Sequence, residues 1–109
     1  MFKLNANPAF MREVKVKVPA DGGFRDESFK ARFRVISSAE AAAFDLDSGE
    51  SSTAFLQAVV TGLEDIVAED GKALSYSDEL RDRVIDIPHA RIALARTYFE
   101  AVSKAREGN

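Results

Sequence analysis

The sequence predicts an α+β fold: an N-terminal β-hairpin, over about 13–19 and 28–36, followed by three or four α-helices, over about 38–47, 53–62, 78–86 and 88–106. Three observations predict it. V-K-V-K-V and F-K-A-R-F-R-V alternate apolar and cationic residues, the period of a strand with one buried face. After Ser37 the period changes, and apolar residues recur three and four apart, as on one side of a helix. Strands and helices are thus segregated along the chain, the arrangement of an α+β domain.

Taken in order, residues 1–12 lack clear periodicity, and Asn5, Asn7 and Pro8 mark a turn-rich lead-in with Phe2, Leu4 and Phe10 as anchors. Val14, Val16 and Val18 form one face of the first strand, with Lys15 and Lys17 on the other. Pro19, which has no N–H to give, is expected to end its ladder. Ala20-Asp21-Gly22-Gly23 is a turn signal inside a loop of about nine residues. The returning strand places Phe29, Ala31, Phe33 and Val35 inward and Lys30, Arg32 and Arg34 outward, with Ile36 interleaved on the cationic face.

Ser37 stands three residues before Glu40, the spacing of a capping box, and opens the first helix, which contains Phe44. Residues 47–52, D-S-G-E-S-S, break it. Ser52 is the expected cap of the second helix, with Phe55, Leu56, Val59, Val60 and Leu63 inward and Gly62 at its end. Residues 64–76 read as irregular, with a turn at Asp70-Gly71. Ser77 caps a short helix whose first turn holds Asp78 and Glu79 and whose inward stripe is Leu80, Val84 and Ile87. Pro88 suits the first turn of the last helix. Its stripes are Ile92, Ala95, Phe99 and Val102 beside Leu94, Tyr98, Ala101 and Ala105, with Lys104 and Arg106 complementing its dipole and Gly108 as a stop.

The 109 residues are expected to form a single domain, 1–109. The chain has no cysteine, which rules out disulfides, thiolate metal sites and a cysteine nucleophile. No apolar run approaches the ~18 residues of a membrane span, and the first residues do not read as a signal peptide. The net charge of −3 hides an asymmetry. Residues 1–36 hold eight Lys and Arg against four Asp and Glu, whereas residues 37–109 hold seven against fourteen. A basic head on an acidic body bears on partners rather than on fold.

Catalytic patterns are absent. His89 is the only histidine, set between Pro88 and Ala90 at the expected solvent-exposed start of a helix. No phosphate-binding glycine loop occurs. Counted as a calcium loop from Asp45, the chain has Glu50 where glycine belongs and Leu56 where the twelfth-position glutamate belongs. No metal or cofactor is expected.

The basic row of Lys15, Lys17, Lys30, Arg32 and Arg34 has three readings. It is a solvated face that protects edge strands, a docking surface for an acidic partner or another copy, or a nucleic-acid surface. The last lacks interleaved aromatics for stacking bases.

F-K-L-N-A-N-P-A-F at residues 2–10, then K-V-K-V-P and F-K-A-R-F-R, resemble the opening of small tail assembly chaperones of long-tailed phages. V-V-T-G-L (59–63), E-D-G-K-A-L-S-Y-S (69–77), D-I-P-H-A (86–90) and the closing A-R-T-Y-F-E-A-V-S-K-A-R-E-G-N continue the match in order, over nearly the whole chain. Leu63 departs from it, standing where tryptophan is expected.

The resemblance implies a non-enzymatic protein of the bacterial host cytoplasm. It would bind the long, helical tape measure protein, keep it soluble and help recruit tail tube subunits, with no role for nucleic acid or membrane. The alternative is a structural minor tail or head-to-tail joining protein of the particle. The partner-binding residues expected are Lys15, Lys17, Lys30, Arg32, Arg34, Tyr98 and Phe99. The basic hairpin and acidic body also have the charges to pair head-to-tail into a homo-oligomer.

Overall fold

The computed structural model describes residues 1–4, 8–45 and 48–106, with side chains as far as Ser103. Its order is β1 (Ala9–Ala20), β2 (Gly23–Arg34), α1 (Ser38–Ala42), α2 (Gly49–Val59), β3 (Val60–Glu64), α3 (Asp78–Ile85) and α4 (Pro88–Arg106). The fold is α+β, an N-terminal hairpin followed by helices, but with a third strand inside the helical half. The sheet is antiparallel in the order β1-β2-β3.

The hairpin is longer and tighter than its alternating core suggests. Ala20 pairs with Gly23, so the loop is the two residues Asp21 and Gly22 rather than about nine. Gly22 sits at φ 78, a backbone region open to glycine at little steric cost. Pairing then runs down to Ala9 opposite Arg34, so residues 9–12 belong to the strand and not to a lead-in. Pro19 does not end the ladder. It lies on an edge strand, where a missing N–H need not interrupt pairing. At the other end β2 stops at Arg34, and Ile36 is buried in the core instead of lying with the cations.

One face of the sheet is packed, and its other face is wet. Val14, Val16, Phe29, Ala31 and Phe33 bury their side chains under the helices, joined in one contiguous core by Leu56, Val59, Ile85 and Leu94. β3 supplies Val60 and Leu63 to the same core. The sequence places these two residues on the second helix. A helical stripe and a short buried strand are indistinguishable over so few apolar residues. The backbone makes the change at Val60, and Gly62 becomes a strand residue at a bulge. There β2 shifts register between Arg32 and Phe33, and a Cβ on Gly62 would lie 3.3 Å from that of Arg32.

Three serines start helices. Ser37 accepts from the Glu40 N–H at 3.0 Å, and Ser77 from that of Leu80 at 3.0 Å, both as expected. The second helix begins earlier than expected, because Ser48 rather than Ser52 is its cap and accepts from the Ser51 N–H. α1 closes at Ala42, short of the expected end, and residues 46 and 47 lie outside the described residues. Ile87 is not on the inward stripe of α3. It follows the helix in the bend to α4 and is exposed, while Ile85 takes the buried position. The expected dipole partners Lys104 and Arg106 and the stop Gly108 lie outside the described side chains or residues.

Two arginines tie the helices together. Arg91 donates from α4 to the Ile85 carbonyl and to Ser52 Oγ and Thr53 Oγ1, fixing the start of α2 against the α3–α4 corner. Arg81 on α3 donates to Asp82 Oδ1 at 3.0 Å, and the same oxygen accepts from Gln57 on α2 at 3.1 Å. The hydrogen bond from Arg81 holds the Asp82 carboxyl below its ordinary range, with Gln57 adding to the effect.

A lowered folded pKa stabilises the fold above the unfolded value and loses that contribution as pH falls through the folded one. Asp82 is half exposed, so solvent screens the pair to below about 1 kcal/mol. Asp82→Asn is therefore expected to be slightly less stable than the parent at pH 7, the gap closing on acidification below about pH 4. Parallel urea titrations at both pH values measure it; a gap that persists in acid contradicts the assignment.

Candidate protein-binding surface

The wet face of the sheet carries the predicted cationic row, and the register decides what surrounds each member. Lys15, Lys17, Lys30 and Arg32 are exposed. Lys17 lies opposite Asp26 and is bound to it at 2.5 Å. Lys30 lies between Glu13 on β1 and Glu64 on β3, with Asp65 at 3.8 Å. Like-spaced opposite charges across strands are favourable neighbours, so this face is a checkerboard rather than a cationic patch. Among the described residues, Lys15 and Arg32 make no ion pair; they face Ser28 and, across both neighbouring strands, Met11 and Gly62. The strand pattern shows the cations but not the carboxylates, which come from other strands. Recognition of Asp21-Gly22 as a two-residue turn would have set Asp26 beside Lys17.

Arg34 is not a member of a free row. It is half-buried, and its Nε donates to the Ala58 carbonyl at 2.7 Å while Nη2 donates to Glu40 Oε2 at 3.0 Å. It brings a cation to the C-terminal turn of α2, which has no basic residue of its own. Glu40 is engaged by this arginine, so the capping box at α1 shows its serine half through the Ser37 cap. Arg34→Gln is expected to cost about 1–2 kcal/mol, because a carbonyl and a carboxylate lose a charged donor. Arg32→Gln should stay within about 0.5 kcal/mol of the parent. Chemical denaturation of the two single variants separates the structural arginine from the surface one.

The two aromatic candidates also part ways. Tyr98 is 4% exposed and is the hub of an aromatic cluster, with Phe10, Phe33, Phe55 and Phe99 all within 6.4 Å between ring centroids. Its hydroxyl accepts from the Ile36 N–H at 3.4 Å. Tyr98 therefore builds the core and offers no docking surface. Phe99 lies at the cluster's rim. One side of its ring stacks on Phe55 at 5.3 Å, and the residue remains 38% exposed. Phe44, half-buried, packs edge-on against the same Phe55.

The stripe Ile92, Ala95, Phe99 and Val102 is consequently not simply buried. Ile92 is 62% exposed on the side of α4 away from the core, and Ala95 and Val102 are half-buried. The four residues are spaced three, four and three apart, the a/d spacing that presents an apolar seam to another helix. The companion stripe, through Leu94 and Tyr98, is the one the core consumes.

Among the described residues, no group of three or more His, Asp or Glu is placed to hold a metal ion, and no helix is long and apolar enough to cross a membrane. Compared with protein-family models, curated proteins and solved structures, the chain matches none.

Proposed function

We propose that this chain is a phage tail assembly chaperone, a non-enzymatic binding protein of the bacterial host cytoplasm. It holds the helical tape measure protein in solution and helps bring tail tube subunits to it. The observation that carries the reading is the seam on α4: a heptad-spaced apolar stripe that the core leaves partly uncovered. Such a stripe fits an amphipathic client helix read at matching spacing. The resemblance of the ordered motifs along the chain supports the same assignment, and the exposed Lys15 and Arg32 offer a polar contact for an acidic flank of the client.

Co-purification with the tape measure protein from the same genome tests it. A soluble complex is expected, and the protein should be missing from finished particles by mass spectrometry. Stoichiometric presence in particles would select the structural minor tail or joining protein instead.

A further inference from the structure

Beyond β3, which pairs only with Lys30–Phe33 of β2, the outer part of the hairpin continues as a two-stranded arm. The inner face of that arm overhangs a groove of about 380 Å3, lined by Val16, Val18, Phe29, Val67, Val84 and Ile87. Past Val67 and Ile87 the groove runs on into a second depression of about 790 Å3 between α3 and residues 66–74. Its apolar lining is open to solvent: Val67 is 59% and Ile87 41% exposed. The rim is acidic. Glu69, Asp70 and Asp86 line it, and among the described residues none of the three forms an ion pair; Arg83 and the half-buried His89 are its only basic groups.

The same chain carries an uncovered segment of the opposite character. Phe2 and Leu4 are 85% and 94% exposed, and Lys3 stands between them. Two apolar anchors around a cation complement an apolar groove with an acidic rim. Neither occupies the groove of its own molecule, since both are almost fully exposed, and Leu4 can reach no further than its near end. From Leu4 to Ala9 the chain spans at most about 18 Å whatever its conformation. The groove runs from Phe29, opposite Val14 and five residues along β1 from Ala9, out to Val18, nine residues along, or about 17–30 Å.

We infer that the groove beneath the hairpin arm binds the Phe2-Lys3-Leu4 segment of a second copy. Segment and groove are different patches of the chain, and we take the contact to be one-way, segment to groove, and so heterologous. Each copy then keeps one free segment and one free groove, and association continues into a ring or a short filament. The α4 seam lies apart from this contact, so loss of self-association and loss of client binding are separate results.

The experiment uses two double variants at exposed positions. Phe2→Ser with Leu4→Ser removes the segment; Val67→Lys with Ile87→Lys closes the groove. Circular dichroism checks that each folds. Sedimentation velocity from about 10 to about 500 µM should show the parent growing beyond its 11.9 kDa monomer with concentration, and each variant alone remaining monomeric. An equimolar mixture of the two should stop at a species of two chains, since one good segment and one good groove remain. A parent that stays monomeric throughout, a variant that associates as the parent does, or a mixture that forms no two-chain species overturns the inference.

Discussion

Phe33→Ala is expected to lose about 3–5 kcal/mol of folding stability, a large fraction of what a domain of this size has. Phe33 is fully buried near the C-terminal end of β2. Its ring lies 5.4 Å from that of Phe10 and 5.8 Å from that of Tyr98, so truncation opens a cavity between the sheet and α4. The neighbours cannot readily collapse into it, because Phe10 is fixed by strand pairing and Tyr98 is held among three other rings. Urea unfolding measures the loss. Arg32, the adjacent residue on β2, is the control, since its side chain points to water. A Phe33→Ala protein within about 1 kcal/mol of the parent would mean that the core repacks around the site.

Ile92→Asp should reduce affinity for a helical client at least about tenfold, or 1.4 kcal/mol, with little change in melting temperature. The residue is mostly exposed, so stability has little to lose, whereas a carboxylate in the middle of an apolar seam would be desolvated on docking. Phe99 is a less clean probe, because its stack on Phe55 ties it to the core as well. Fluorescence anisotropy with labelled segments of the proposed client, the tape measure protein, provides the readout. Unchanged affinity in Ile92→Asp would remove the α4 seam from the client interface and leave the exposed Lys15 and Arg32 as the next surface to vary.

The candidate surface was only partly readable in advance. Alternation placed Lys15, Lys17, Lys30 and Arg32 outward, and they are exposed. The same alternation could not tell that Arg34 bends back to the end of α2, because Ala58 and Glu40 are brought to it by the fold. Helical periodicity found both stripes on α4 without saying which one the core would cover. That depended on where α2 lies: Phe55 reaches Tyr98 and one face of Phe99 but leaves Ile92 open.

Local chemistry by itself determined the α+β class, the Ser37 and Ser77 caps, the place but not the tightness of the turn at 20–23, the turn at 70–71, the start of α4 at Pro88 and the inward Val14, Val16, Phe29 and Phe33 of the hairpin, though not Val35, which lies beyond β2 and outside the core. Each rests on interactions within a few residues, where periodicity and capping act. Tertiary structure alone decided three things. It turned Val60–Glu64 into a strand, because the open edge of β2 supplies backbone partners no isolated helix end can. It set Asp26, Glu13 and Glu64 among the lysines, because register is a relation between strands. It left the Ile92 side of α4 and the groove at Val67 and Ile87 open to solvent, because burial is settled by how closely elements meet in three dimensions.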